Sequence, residues 1–352
     1  MNSHTQPFIH SDNRIINYLR ISVTDRCNLA CRYCVPKEAL RFTEHDKIAR
    51  YEEIHKIVEC ASEVGITKLR VTGGEPLMRK GVLPFIKGLS KIDGIKDISI
   101  TTNGVLLEPN IDEIIESGVN RINISLDTLK PDRFAFISGR DNFNAVWRGI
   151  MSALDKGLSP VKLNAVILRG INYDEIEDLA ALSLKYPFHV RFIEYMPMGN
   201  SAVDISQQVL IPEIRERIEQ NMGKLDSVGG TNLEAGPAKR YKIKGALGEI
   251  GFISPVSSHF CHQCNRLRIT STGHLRPCLL NNQEVDILTP LRQGASYEAI
   301  KQIFLSAIKR KPATHNLNYS DNLTISDINK TFSLMPQISN NRVHTQMSTI
   351  GG

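Results

Sequence analysis

Short β-rich runs alternate with amphipathic helical patterns along the first part of the chain. The strand candidates are residues 19–23, 68–71, 97–101, 121–126, 161–167 and 190–195, and the clearest helical stretches are residues 51–64, 111–117, 145–156 and 174–184. Alternation of this kind is typical of βα units around a parallel sheet. Because six strand candidates fall short of the eight strands of a closed barrel, the pattern predicts an α/β fold built on an incomplete, open TIM-type (β/α)6 barrel.

Polar residues cluster at the ends of four of these strands, in segments 72–75, 101–103, 125–127 and 194–196. In a barrel, the carboxyl ends of parallel strands meet at one face, and that face carries the active site. The sequence therefore predicts a functional site where these strands end.

After about residue 200, strand and helix patterns no longer alternate regularly. We divide the 352-residue chain into an arm at 1–15, a partial barrel at 16–200 and a C-terminal region at 201–352. That last region has a helical stretch at 211–220, a hairpin pattern at 241–253 and a helical pattern at Tyr297–Lys309. These patterns predict an α+β extension.

Composition narrows the classes of function. No run approaches the roughly 18 apolar residues of a membrane helix, and the start of the chain lacks the apolar stretch of a secretory signal. We therefore expect a soluble, cytoplasmic protein, and among its seven cysteines metal ligands are favoured over disulfides. The formal charge of +6 is mild, which suits an anionic small molecule better than nucleic acid.

Three cysteines, Cys27, Cys31 and Cys34, follow the first strand in a C-x3-C-x2-C run, which we call the first cysteine set. A structural zinc site needs four protein ligands, and the nearest histidine, His45, lies eleven residues beyond Cys34. Three thiolates on an iron–sulfur cluster instead leave one iron open to another ligand. The spacing favours such a cluster, with zinc and buried structural cysteines as alternatives.

This run, with Tyr33 before its last cysteine, resembles the signature of radical S-adenosylmethionine (SAM) enzymes. Gly73-Gly74-Glu75-Pro76, after the second strand, resembles the family's glycine-rich turn, where glycines let the backbone approach a ligand closely. The resemblance implies a 4Fe–4S cluster that binds SAM and releases a 5′-deoxyadenosyl radical on one-electron reduction. The SAM contacts that it implies are Tyr33, Gly74, Ser125 and Met196.

The remaining cluster candidates, Cys261, Cys264 and Cys278, form a C-x2-C-x13-C pattern, the second cysteine set. Because the first set is also a triple, a second three-thiolate iron–sulfur cluster is the more economical interpretation. A zinc ribbon is the alternative. Its fourth ligand would be His259, His262 or His274.

Over nearly the whole chain, the sequence resembles the GTP 3′,8-cyclase family, radical SAM lyases of molybdenum cofactor biosynthesis. The matching stretches are residues 19–27, 70–77 and 193–199, together with the second cysteine set. The resemblance implies that the radical removes hydrogen from C3′ of GTP and that the sugar radical attacks guanine C8. The implied product is (8S)-3′,8-cyclo-7,8-dihydroguanosine 5′-triphosphate. The resemblance also implies that the second 4Fe–4S cluster binds guanine and that cyclic pyranopterin monophosphate synthase is the next enzyme.

Basic residues on the strands supply candidate ligands for a triphosphate, because arginine forks match phosphate oxygens and lysine adds point charge. The basic residues that also match the family's GTP site are Arg20, Lys68, Arg70, Lys162, Arg191, Arg266 and Arg268, and Thr101 matches a further GTP contact. Arg266 and Arg268 share one face of a strand-like run, and a solvated strand face is the alternative reading of that pair.

The chain ends in Gly351-Gly352, and two glycines without side chains are able to thread into a narrow site. The resemblance implies that this tail takes part in catalysis. A frayed terminus is the plain alternative. The seventh cysteine, Cys60, lies in the amphipathic stretch 51–64 and is expected in the core.

Two other classes of protein compete with this interpretation. A peptide-modifying radical SAM enzyme usually carries more C-terminal cysteines than the three found here. A zinc-binding interaction protein would be colourless, whereas two iron–sulfur clusters would make the protein brown. An electron donor is required but is not identified by the residues, and a homodimer remains an open alternative.

Overall fold

The computed structural model describes residues 12–199, 201–229, 236–315, 343 and 345–351. The described strands are β1 (Tyr18–Ser22), β2 (Lys68–Thr72), β3 (Asp97–Thr102), β4 (Arg121–Ser125), β5 (Val161–Val166), β6 (His189–Ile193), β7 (Leu225–Ser227), β8 (Lys239–Ile243), β9 (Glu249–Ile253), β10 (Arg266–Ile269), β11 (His274–Arg276) and β12 (Val285–Asp286). The described helices are α1 (Tyr51–Glu63), α2 (Val82–Leu89), α3 (Leu107–Glu116), α4 (Pro131–Ser138), α5 (Phe143–Asp155), α6 (Ile176–Lys185), α7 (Ile211–Met222), α8 (Leu288–Arg292), α9 (Tyr297–Lys309) and α10 (Met347–Ile350).

These strands form one sheet in the order β12-β11-β10-β1-β2-β3-β4-β5-β6-β9-β8-β7. The pairs from β10 through β1 to β6, and from β6 to β9, are all parallel, and the outer pairs are antiparallel. Within the described residues, the edge strands β7 and β12 do not pair with each other, so the sheet stays open. The predicted α/β architecture is confirmed, and the C-terminal region extends the sheet at both edges.

Alternation along the strands separates an apolar outer face from a polar inner face. On β1, Leu19 belongs to the main hydrophobic core, whereas Arg20 lines a cavity on the other side of the sheet. The helices cover the outer face with their apolar sides. For α1, the core residues are Ile54, Ile57, Val58, Cys60 and Ala61. The expected core position of Cys60 agrees with this packing.

The elements largely follow the sequence patterns, with one informative difference. The helical pattern at 111–117 belongs to α3, which already begins at Leu107. Pro109 lies in its first turn, where a missing N–H costs no intrahelical bond, so a proline there does not mark a boundary. The hairpin pattern at 241–253 becomes the antiparallel pair β8 and β9, with Gly245 at a φ of 81° between them. No described helix is long and apolar enough to span a bilayer.

A buried carboxylate connects the barrel to the C-terminal region. Glu194, directly after β6, is fully buried and accepts hydrogen bonds from the backbone N–H of Ile211 (3.0 Å), Val256 (2.8 Å) and Ser257 (3.0 Å). One side chain thereby holds the start of α7 and the turn after β9 against the end of β6. The arm also reaches this region, because Arg14 donates to the backbone oxygen of Cys261 at 3.0 Å.

Changing Glu194 to glutamine is expected to lower the free energy of unfolding by about 1–3 kcal/mol, because the new amide nitrogen would face buried N–H donors. Denaturant unfolding monitored by circular dichroism measures the effect. Glu213→Gln is the matched control, because Glu213 only pairs with the half-exposed Arg169 at the surface and should cost less than about 1 kcal/mol. Equal losses in the two variants would contradict this role for Glu194.

Candidate active site

Both cysteine sets face a single cavity of about 330 Å³ at the carboxyl ends of the parallel strands. All six cysteines line it. So do most of the other predicted site residues, namely Arg20, Tyr33, Arg70, Gly74, Thr101, Ser125, Arg191, Met196, Arg266 and Arg268. Lys68 and Lys162 lie outside the lining, on β2 and β5. Gly352 lies outside the described residues.

The first cysteine set follows β1 in a compact turn. The N–H groups of Cys34 and Val35 donate to the backbone oxygen of Cys31, at 2.9 and 3.1 Å. Sγ of Cys27 accepts from the backbone N–H of Leu29 at 3.4 Å and from Nδ2 of Asn103 at 3.6 Å. Burial raises the pKa of Cys27 to about 11 and that of Cys34 to about 12. These thiols therefore ionise readily only when a metal stabilises the thiolates, and the donors to Cys27 suit a cluster ligand.

The second cysteine set has a different electrostatic environment. Burial by itself would raise the pKa of Cys264, but the neighbouring cations Arg266 and Lys311 lower that pKa to about 5. The ammonium of Lys311 donates to the backbone oxygens of Arg266 and Pro277, both at 2.8 Å. Cys264 is thus a thiolate at neutral pH, which is the form that binds metal.

The histidines proposed for a zinc ribbon do not gather around this set. His259 lines the cavity, with its ring 5.4 Å from that of His315. His274 is bonded to the hydroxyl of Thr272 at 3.1 Å, and His262 does not line the cavity. Among the described residues, no three His, Cys, Asp or Glu side chains converge on the position of a single metal ion.

Positive charge is concentrated on the inner face of the sheet. Cross-strand pairing places Arg20 directly between Arg268 on β10 and Arg70 on β2. Burial and neighbouring guanidiniums lower the pKa of Arg268 and of Arg191 to about 9. For Lys162, burial and then the charge of Arg191 lower the pKa to about 6. Positive charge concentrated in this way favours binding of a polyanion.

Two uncharged side chains also point to a ligand. Oγ1 of Thr101 and Oδ1 of Asn164 are buried and have no hydrogen-bond partner among the described residues, and both residues line the cavity. A buried polar atom without a partner costs about 1–3 kcal/mol. The sequence predicted Thr101 but not Asn164. Only the sheet register marks Asn164, because it lies directly opposite Ser125 on the neighbouring strand.

Carboxylates at the strand ends brace the loops that carry the site. Glu75 accepts from the N–H of Asn103 at 2.7 Å and from the hydroxyl of Thr102 at 2.9 Å, and burial raises its pKa to about 7. Asp127 accepts from the hydroxyl of Tyr33 at 2.7 Å, which fixes the aromatic ring of the first cysteine set. These acidic residues therefore position neighbouring groups.

The glycine-rich turn after β2 is crowded by the chain itself. A Cβ atom on Gly74 would lie 2.3 Å from the backbone oxygen of Arg26, and one on Gly73 would lie 2.6 Å from that of Thr24. The sequence predicts that these glycines allow close approach of a ligand. The structure adds a second reason, since the turn must also pack against the loop that leads into the first cysteine set.

The last described residues reach the cavity, since Gln346, Met347 and Ser348 line it, whereas Gly351 lies outside its lining. Ile350 is fully buried, and the backbone oxygen of Gly351 accepts from the guanidinium of Arg268 at 2.6 Å. Gly351 has a φ of 77°, and a Cβ atom there would lie 1.9 Å from Oγ1 of Thr72. Only glycine fits this position.

Comparison with known proteins gives matches over both parts of the chain. The description "Radical SAM superfamily" matches residues 21–183, and "Molybdenum Cofactor Synthesis C" matches residues 188–317. Curated relatives named GTP 3′,8-cyclase include one from Pelotomaculum thermopropionicum, 48% identical over 309 residues, which covers 86% of this chain and 94% of the relative. Another, from Desulforamulus reducens, is 47% identical over 313 residues and covers 88% and 95%.

Among solved structures, Streptococcus suis SuiB bound to S-adenosylmethionine is similar in fold. It has a TM-score of 0.58 and 16% sequence identity, over 82% of this chain and 69% of SuiB. At that identity the likeness concerns the fold alone.

Replacing Lys162 by methionine is expected to stabilise the ligand-free protein. The native state lowers the lysine pKa from 10.5 to about 6, so unfolding takes up a proton between these values and wild-type stability rises with pH across that window. Methionine abolishes this titration. The gain in free energy of unfolding over wild type should therefore be largest near pH 6, at about 1–4 kcal/mol, and should shrink toward pH 9.

Unfolding curves of wild type and Lys162→Met over this pH range measure the difference. Lys156→Met is the control, because Lys156 is half-exposed and paired with Asp112 and should show no such pH-dependent gain. If the difference in free energy of unfolding between Lys162→Met and wild type stays constant across this pH range, burial does not lower the pKa of Lys162.

Proposed function

The chain belongs to the GTP 3′,8-cyclase family of radical SAM enzymes, and on that premise we propose which of its residues carry the reaction. It is a lyase that uses SAM and 4Fe–4S clusters to cyclise GTP in molybdenum cofactor biosynthesis. One observation carries the assignment of residues. Two separate cysteine sets and a strongly basic sheet interior face the same cavity.

Cys27, Cys31 and Cys34 would hold the cluster that binds SAM. Bound there, SAM and the cluster supply the 5′-deoxyadenosyl radical that removes hydrogen from C3′ of GTP, so that the sugar radical can attack guanine C8. Tyr33, Gly74, Ser125 and Met196 would contact SAM. Support for Tyr33 comes from its hydroxyl bond to Asp127, which holds the ring at the end of β4 and limits its freedom before SAM binds.

The basic inner face would bind the triphosphate. Arg20, Arg70 and Arg191 line the cavity and offer bidentate donors to phosphate oxygens. Lys68 on β2 and Lys162 on β5 lie outside the cavity lining and would add positive charge to this face. Because burial and then neighbouring cations lower the pKa of Arg20 and of Lys162, a triphosphate would relieve this repulsion on binding.

Cys261, Cys264 and Cys278 would hold the second cluster, which would position the guanine base. The depressed pKa of Cys264 supports a thiolate ligand at this place. Arg266 and Arg268 enter the same cavity from β10, and Thr101 would use its unpartnered hydroxyl on GTP. The two clusters would thus hold SAM and GTP at opposite sides of one cavity, which keeps the reacting atoms close and oriented.

The Gly351-Gly352 tail would act after SAM has bound. Gly351 already lies beside Arg268 and Thr72. Its backbone groups are able to orient a reacting species without adding side-chain bulk. We further propose that a separate one-electron donor reduces the first cluster and that cyclic pyranopterin monophosphate synthase takes up the product. Division of the chain at about residue 200 into barrel and C-terminal region belongs to the same proposal.

Replacing Cys31 by alanine is expected to abolish formation of 5′-deoxyadenosine and to remove about half of the iron, because only the first cluster loses a ligand. The triple change of Cys261, Cys264 and Cys278 to alanine should also leave about half of the iron, with slow SAM cleavage but no cyclised GTP. Iron and sulfide analysis after anaerobic reconstitution, with mass analysis of the products, measures both effects.

Cys60→Ala serves as the control, since Cys60 is buried in α1 outside the cavity. It should retain the full iron content. Normal SAM cleavage by the Cys31 variant, or full iron in the triple variant, would overturn the assignment of the corresponding set.

Removing Gly351-Gly352 is expected to reduce the cyclised product at least about tenfold while leaving iron content unchanged, because oriented backbone groups rather than packing would be lost. Gly351→Val should act similarly, since a side chain cannot fit against Thr72. Product yield per iron is the quantity to compare. Wild-type turnover in the truncated protein would mean that the tail plays no part in catalysis.

A further inference from the structure

The tail crosses the barrel mouth along a defined path. Val343 forms a bridge with Met198 in the loop after β6, and its backbone oxygen accepts from the N–H of Gly199 at 2.8 Å. Farther along, the backbone oxygen of Thr349 accepts from the N–H of Ser271 at 3.0 Å. The last described residues are therefore held at several points between the loop after β6 and the turn after β10.

A buried guanidinium connects this path to the second cysteine set. Arg276, at the end of β11 and two residues before Cys278, is fully buried. Its Nη1 donates to the hydroxyl of Thr345 in the tail at 2.8 Å and to the carboxylate of Glu284 at 2.5 Å. Its Nη2 donates to the backbone oxygen of Asn281. One side chain thus bonds both to the tail and to the turn that carries Cys278.

Apolar packing also connects the tail to the turn that carries Cys278, independently of Arg276. A small hydrophobic cluster, separate from the main core, joins residues of the turn after β11, of the loop after β6 and of the tail. Its members are Met196, Met198, Cys278, Leu279, Leu280, Val343, Met347 and Ile350. The position of Cys278 and the position of the tail therefore depend on each other.

A second arginine holds the other end of the tail, but in a different way. Arg268 lies directly opposite Arg276 on the neighbouring strand and donates to Gly351. Arg268 lines the cavity, whereas Arg276 does not. A substrate is therefore able to compete for the bond from Arg268, while the bond from Arg276 to Thr345 is shielded from it.

We infer that Arg276 is a positioning residue that anchors the tail to the turn carrying Cys278, so that the tail stays at the cavity when Arg268 engages substrate. Neither the sequence motifs nor the resemblance assigns a role to Arg276. The catalytic consequence rests on the proposed function, but the anchoring itself concerns only contacts within this chain.

Thr345→Val tests the anchor, because it removes the hydroxyl that accepts from Arg276 and leaves the bonds to Glu284 and Asn281 in place. Hydrogen–deuterium exchange of the tail peptide in the reconstituted protein is the measurement. We expect exchange to become roughly tenfold faster, as for the loss of one charge-assisted hydrogen bond. Thr345→Ser, which keeps the hydroxyl, should restore the wild-type rate.

Thr349→Val is the matched control, since the hydroxyl of Thr349 makes no hydrogen bond with any described residue and only its backbone is held. It should leave tail exchange within about twofold of wild type. Arg276→Gln, which shortens the donor, should speed tail exchange at least as much as Thr345→Val. Wild-type exchange in both Thr345→Val and Arg276→Gln would overturn the inference.

The ratio of cyclised product to SAM cleaved distinguishes a positioning role from a general loss of structure. With SAM, reductant and GTP, Thr345→Val should cleave SAM normally but form several-fold less cyclised product per SAM cleaved, whereas a simple loss of fold would lower both and also release iron. An unchanged ratio together with faster tail exchange would overturn the positioning role. If the wild-type protein forms no cyclised GTP, the proposed function fails, while the exchange experiment still decides whether Arg276 anchors the tail.

Discussion

Several buried arginines point to the inner face of the sheet, and their charges repel one another. Arg20, Arg70 and Arg268 lie side by side on three neighbouring strands, and burial followed by repulsion from nearby arginines, Arg266 among them, lowers the pKa of each. Burying like charges close to one another is costly. The apolar outer face, covered by the helices, offsets that cost.

The C-terminal region completes the site by joining the barrel at both edges. β9 pairs with β6 on one side, and β10 pairs with β1 on the other. The second cysteine set brackets β10 and β11 and so faces the first set across the cavity. Glu194 secures one edge through buried hydrogen bonds. Barrel and extension therefore form one continuous sheet rather than two independently placed parts.

Much of the fold and of the site could be predicted because local patterns carry it. The strand and helix periods gave the βα order, and the cysteine spacings gave two three-ligand sets. What escaped prediction were side chains whose roles depend on distant partners. Lys311 lowers the pKa of Cys264 from 47 positions away, and Arg276 meets Thr345 across a separation of 69 residues. Neither has a local signature, since an isolated basic residue in sequence is most often a surface group.

Short segments of the sequence are enough to specify the chemistry that this chain is able to perform, because ligand type and spacing are local: thiolates in two triples, arginines on strands and a glycine-rich turn. Tertiary packing, in contrast, brings these groups to one cavity and leads the tail to it. It also places the strand-end carboxylates where they accept hydrogen bonds from neighbouring loops. The physical reason is that burial, pKa and hydrogen-bond satisfaction depend on which strands become neighbours, and that order is fixed by packing of the whole sheet rather than by any segment alone.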